Sequence, residues 1–213
     1  MLKSINKVIK ILIFSDVLLL TGFGFVSPIF AIFITDKIQG GNAEVAGFAM
    51  AFYWLTKSIV QIPFGRYLDK NHGEKDDLAF IIIGFCLVAL VAFGYIFCFL
   101  PWHIYVLKVI YGLGMAMNIA GWGATFTRHI DKGREAYEWS IRSTLVGVGT
   151  GISGALGGVI ATKFGFTTLF LGVGVFALAG ALLPILIWKD ISPGNKIVSE
   201  IPKTKTEPYS PKE

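Results

Sequence analysis

Lys108, Tyr111, Met115, Asn118 and Trp122 recur at intervals of three and four residues, so on a helix they form one stripe. The run around them is apolar. A charge at depth in hydrocarbon costs about 2.5–3.5 kcal/mol on the mildest insertion scale, so Lys108 is expected to face a wet cavity or a carboxylate rather than lipid. The plainer alternatives are a buried structural ion pair, or a lysine snorkelling toward an interface near Trp102, about 9 Å away at helical rise. Lys57 stands thirteen residues after Glu44 and nine before Arg66, near the centre of a second apolar run, with Gln61 one turn on. An anionic solute, a proton-linked partner or a structural carboxylate would each satisfy it. Asp16, about 9 Å inside Lys10, is the one carboxylate well inside a run, and Arg142 lies at similar depth in another. Together they read as a buried salt bridge, while Asp16 alone reads as a proton-carrying carboxylate. This is chemistry for holding a polar or charged solute, or a proton, away from lipid.

Bond-making chemistry is not supported by the same residues. Gly149 to Gly154 fits a dinucleotide-binding fingerprint, but it lies inside an apolar run with no strand before it. Ser153, in a Gly-x-Ser-Gly setting, needs a histidine at membrane depth to become a nucleophile. His72 and His129 fall in polar loops and His103 at an edge. No cofactor is implied and no metal spacing is present. Cys86 and Cys98 lie on one run, about 18 Å apart along a helix, too far to pair.

The elements that position these residues are long and apolar. Hydrophobic residues make up 54% of the 213-residue chain, which marks an integral membrane protein in a lipid bilayer. The basic excess punctuates the apolar runs instead of clustering on one face, so nucleic acid is excluded as a partner. Six spans are expected, at about 11–35, 44–65, 78–99, 103–127, 139–162 and 166–188. The first run is too long for the core of a signal peptide. Lys3, Lys7, Lys10, Arg66, Lys70, Lys75, Arg128, Lys132 and Arg134 fall on one side of this scheme, and Lys37 and Lys163 on the other. The positive-inside rule then puts both termini in the cytoplasm. Residues 1–10 form a cytoplasmic N-terminus and 11–188 the bundle. Residues 189–213, polar and rich in proline, read as a disordered cytoplasmic tail with which the chain ends.

Polar residues sort the spans. Asp16 lies in the first, Lys57 and Gln61 in the second, Lys108 and Asn118 in the fourth, and Arg142 and Ser153 in the fifth, while the third and sixth carry no ionisable residue at depth. Two polar spans and one apolar span, twice over, is the pattern of a three-plus-three inverted repeat whose third and sixth spans face lipid. The fifth span carries Gly147, Gly149, Gly151, Gly154, Gly157 and Gly158, small residues that let helix backbones approach closely.

Between the second and third spans runs a densely charged stretch, residues 65–77, expected to be a loop in water. Its Gly65, Asp69, Lys70, Gly73 and Lys75 resemble the signature loop of the major facilitator superfamily, with Asn71 and His72 where one residue is usual and Glu74 in place of a basic residue. Gly157-Gly158 followed by Phe164-Gly165-Phe166 and Phe170 is similar to that family's junction of fifth and sixth spans. Lys108 with Gly112 and Gly114 resembles its fourth-span motif. The resemblance implies one half of a major facilitator fold, with first and fourth spans lining a central cavity and second and fifth at a seam. It implies that Asp69 clasps a partner half through charge.

The expected function is movement of a small solute by alternating access, with proton coupling open. A rocking transporter needs two bundles about a midplane site, so a homodimer or a second six-span half is expected. The rivals are a membrane scaffold that keeps the fold, or one half of a split transporter.

Overall fold

The computed structural model describes residues 5–71 and 73–191. The expectations for Lys3, for His72 and for the tail beyond Ile191 fall outside them. Every regular element among the described residues is helical.

Local sequence sets where the helices begin and end. Helix α1 (Lys7–Gly24) is capped by Asn6, whose side chain accepts a hydrogen bond from the Val8 N–H at 2.8 Å. Pro28 lacks an N–H and sits in a 3-10 turn at Ser27–Ile29, after which α2 (Phe30–Lys37) continues the first span. Helix α3 is Ala43–Asn71. Helix α4 (Glu74–Gly94) opens with Glu74, Asp76 and Asp77 against the positive end of its dipole. Helix α5 (Pro101–His129) starts on proline and closes with Arg128 and His129 in its last turn, again complementing the dipole. Helix α6 (Glu135–Leu182) is two helices joined across a kink at Gly165, whose φ of 81° and ψ of 165° only glycine adopts readily.

One expectation is corrected here. The stretch 65–77 is mostly helical and not an open loop: α3 runs on through Asn71 and α4 starts at Glu74. Arginine and lysine are good helix formers, and a helix that leaves the membrane goes on satisfying its own backbone. Five elements are long and apolar enough to cross a bilayer among the described residues: Lys7–Lys37, Ala43–Lys70, Glu74–Phe97, Pro101–His129 and Glu135–Ile187, the last holding both the fifth and the sixth expected spans. The fifth has 53 residues, about 80 Å if straight against a hydrocarbon core of about 30 Å.

The kink reverses the chain. Before Gly165, α6 runs parallel to α1: Arg142 pairs with Asp16, Gly149 abuts Thr21, Gly24 abuts Ser153, and Gly157 abuts the Phe25 carbonyl. After Gly165 the numbering runs the other way. A Cβ on Gly22 would come 3.0 Å from that of Phe176, and one on Gly180 would come 3.2 Å from the Ser15 carbonyl oxygen. The chain ends gather accordingly. At one end the Gln39 N–H donates to the Phe99 carbonyl at 2.9 Å, and Phe33 meets Phe166 with ring centroids 5.3 Å apart. At the other, Lys7 pairs with Asp190 at 2.7 Å and Arg128 pairs with Asp77.

Packing is tight where glycines meet. Helices α4 and α5 touch through Gly84 and Gly114, where a Cβ on either would lie within 3.0 Å of the other's carbonyl oxygen. Phe85, Phe126, Leu12 and Ile13 fill the core at one level, and Phe33, Phe170 and Val173 at another. Helix α4 and the second part of α6 each have a buried face and an exposed apolar one, the latter marked by Ile83 and Leu90 and by Leu171 and Val175. Helix α3 and the first part of α6 present broad exposed apolar faces, with Phe48, Leu55, Ile59 and Ile62 on one and Val148, Ile152, Leu156 and Val159 on the other.

Candidate functional site

A cavity of about 510 Å³ lies between the first span, α3, α5 and the first part of α6. Its walls are mostly apolar and aromatic, from Leu20, Phe23, Phe30, Tyr53, Trp54 and Tyr111. Lys108 reaches it from α5, three residues before Tyr111, and is only 7% exposed. Its ammonium sits 3.7 Å from the centroid of the Phe30 ring and 5.5 Å from that of Tyr111, with the Met50 sulfur at 3.8 Å. Among the described residues Lys108 makes no salt bridge. The cavity is therefore an aromatic chamber with one buried cation at its wall.

The floor is an ionic layer. Arg142 Nη2 lies 2.6 Å from Asp16 Oδ2, and its guanidinium stacks 4.4 Å over Trp122. Trp122 Nε1 donates to the Leu12 carbonyl at 3.1 Å, so α1, α5 and α6 are pinned together at this level. Asp16 thus has a cation in reach, and the pair lies about one helical turn from the lining residues Leu20 and Val146, toward the end that carries Lys7 and Asp190.

The stripe on α5 divides. Lys108 and Tyr111 line the cavity, whereas Asn118 is buried against α4, its Cβ within 3.2 Å of where a Cβ on Gly84 would be, and Trp122 belongs to the ionic layer. Asn118 is about 15 Å beyond Lys108 along the helix, past the cavity's floor. Its amide nitrogen has no hydrogen-bond partner. Lys57 and Gln61 are half-buried and outside the cavity lining. The Lys57 ammonium instead rests 4.5 Å from the ring of Trp54, a residue that does line it.

Ser153 donates to the Thr150 carbonyl at 3.1 Å and packs against Gly24. Gly149 and Gly157 also pack against the first span, so this glycine-rich face joins two helices of one bundle. Gly147, Gly151 and Gly158, on the same helix, have open space around them. Asp69 is exposed and forms no ion pair among the described residues; Arg128 pairs with the buried Asp77, and His129 lies 3.9 Å from Glu74. Gly65 and Lys70 lie in the last turns of α3, Gly73 just before α4, and Lys75 in its first turn.

A model of the Major Facilitator Superfamily matches residues 12–211. The chain belongs to that superfamily. It is 27% identical over 167 residues to a multi-drug resistance efflux pump PmrA homolog of Lactococcus lactis, covering 78% of this chain and 40% of that protein. It is 25% identical over 170 residues to an uncharacterized MFS-type transporter of Methanocaldococcus jannaschii, covering 80% of this chain and 42% of the other. The chain thus spans about two fifths of the length of these curated relatives. Superfamily members are transporters and not enzymes, and this chain is a multi-pass membrane protein.

Several residues of this facilitator's cavity escaped the sequence reading. Ala46, Met50 and Tyr53 lie four and three residues apart on one face of α3, a spacing that marks a helix face but not what the face adjoins. Tyr95 lines the cavity from the end of the third span, 2% exposed, with no hydrogen-bond partner for its hydroxyl. Asp77 and Glu74, read only as loop charge, meet Arg128 and His129 across the ends of α4 and α5.

Proposed function

We propose that this chain is a six-span bundle which moves a small solute through the cytoplasmic membrane by alternating access, as one of two bundles in the working transporter. The observation that carries the reading is the cavity beside Lys108, with polar groups converging on an apolar chamber at membrane depth. The reversal at Gly165 supports a sixth crossing, since the segments on either side run in opposite directions along α1. The charge asymmetry of the loops supports cytoplasmic termini.

The need for a second bundle follows from the exposed surface. Helix α3 and the first part of α6 leave large apolar side chains uncovered, and these are the two helices at the rim of the packing order. Gly147, Gly151 and Gly158 on that rim leave room for a close-packed neighbour. A parallel second bundle would cover both helices and place its own cavity opposite this one; it is either a copy of this bundle or another polypeptide segment. Asp69 stands at the cytoplasmic end of the same rim, exposed, where it meets the neighbour's charges.

The test is flux into proteoliposomes across a panel of labelled solutes, with and without an imposed proton gradient, alongside native mass spectrometry of the same preparation. Saturable flux from a preparation holding two bundles is expected. Bundles that pair yet move nothing would overturn transport in favour of a scaffold, and flux from single six-span bundles would overturn the pairing.

A further inference from the structure

We infer that the cavity beside Lys108 takes a small organic monoanion, a single carboxylate on an aromatic or other apolar body, and that this is the class of solute moved. The binding part stands on the geometry alone; the last clause rests on the transport reading above.

The argument starts from what surrounds the ammonium. It carries three donors and no acceptor. Its neighbours are the Phe30 face, the Tyr111 ring and the Met50 sulfur, which supply weak negative potential and no full charge. Asp16, the carboxylate inside the first span, is occupied by Arg142 in the ionic layer at Trp122, about 21 Å along α5 from Lys108. Lys57, against the lining residues Trp54 and Tyr53, is a second cation near the chamber wall. An organic cation entering here would meet like charge, while an anion would complete the shell that Lys108 lacks.

A second group points the same way. Tyr95 lines this cavity, and its hydroxyl is buried and has no partner. Its ring lies 5.5 Å from that of Phe30, on whose face the Lys108 ammonium rests. One unpartnered phenol and one cation thus lie against the same ring, and a carboxylate has an oxygen for each. The remaining walls, from Leu20, Phe23, Tyr53 and Trp54, offer apolar and aromatic surface. Inorganic phosphate or a dianion would be poorly served by one cation among such walls. The volume of about 510 Å³ falls within the roughly 300–1,000 Å³ typical of small-molecule sites.

The test uses the full chain in nanodiscs of zwitterionic lipid, with 4-nitrobenzoate, 4-nitrobenzamide and 4-nitrobenzylammonium as quenchers of tryptophan fluorescence. Saturable quenching by the benzoate is expected, lost in Trp54→Phe. The amide should bind about tenfold to a hundredfold more weakly, the weight of one hydrogen bond to a charged group, and the ammonium weakest of all. Lys108→Met should reduce the benzoate to the affinity of the amide, and Lys108→Arg should preserve it. Equal binding of the three probes, or benzoate binding untouched by Lys108→Met, would overturn the proposal. If Lys108→Met does not insert, the three-probe comparison on the unaltered chain decides. The expected order without any flux would leave the site standing and remove the transport reading. Flux of neutral or cationic solutes without preference for anions would leave the transport reading standing and remove the class of solute assigned to it.

Discussion

The Asp16–Arg142 pair can be weighed by removing one member and then both. Asp16 has a side chain 4% exposed and Arg142 one 25% exposed, with 2.6 Å between the charged atoms. Breaking a buried pair from one side strands the other charge and costs about 3–5 kcal/mol. Water reaching the exposed quarter of Arg142 softens this, so Arg142→Met should cost near the lower bound, about 3 kcal/mol. Methionine keeps apolar contact with Trp122, so the loss reports mainly on the stranded carboxylate. For a chain of this size that is a fall of about 6–12 °C in apparent unfolding midpoint. The double variant Asp16→Leu/Arg142→Met removes both charges and should return to within about 1 kcal/mol of the parent, because paired charges and apolar isosteres in a core are nearly equivalent. The assay is thermal unfolding in detergent followed by size-exclusion recovery, on the parent, both single variants and the double. An Arg142→Met protein as stable as the parent, or a double variant worse than either single, would refute the reasoning. Flux then separates structure from coupling: a stable double variant that still transports assigns the pair to holding helices together, and one that has lost proton-driven flux assigns Asp16 to coupling.

Gly157→Ala places a methyl against the backbone of Phe25 and should destabilise by about 1–3 kcal/mol, whereas Gly158→Ala points into open space and should be neutral or slightly stabilising. Equal unfolding midpoints for the two would contradict the close α1–α6 approach. Asp69→Asn keeps the volume and removes the charge, so flux should fall while insertion and expression are retained; unchanged flux would withdraw the role given to Asp69. Single cysteines at positions 36 and 103 should react with an impermeant reagent from outside and those at 69 and 132 only from inside, in a background without Cys86 and Cys98; outside reaction at 69 would invert the topology.

What could be read from the sequence was set by the cost of charge in lipid. Because that cost is several kcal/mol per group, Asp16 and Arg142 could be matched by counting depth, and the structure pairs them. The same reasoning found that Lys108 avoids lipid but could not say what it faces, since its neighbours Phe30, Met50 and Tyr95 are apolar or weakly polar and carry no such penalty to mark them. The stripe on α5 was legible as a face and over-read as a single environment. A helix face of fourteen residues is about 21 Å long, longer than the chamber, so Lys108 and Tyr111 line it while Asn118 and Trp122 pack elsewhere.

Helix ends were hidden for a different reason. Composition marks where a segment leaves hydrocarbon, and the charged residues 65–71 do so, but α3 stays helical in water because its hydrogen bonds are internal. By contrast the break between 162 and 166 was legible, and the non-helical residue Gly165 falls in it. The backbone adds the direction: residues 142–157 climb α1 in register with it and residues 173–180 descend. That reversal puts Tyr95 and the first turns of α5 at the same end of the molecule as the kink, through Phe170 against Tyr95 at 5.1 Å. The kink therefore lies at the Tyr95 end of the bundle, and the ionic layer at Asp16 lies toward the opposite end, with Lys7 and Asp190.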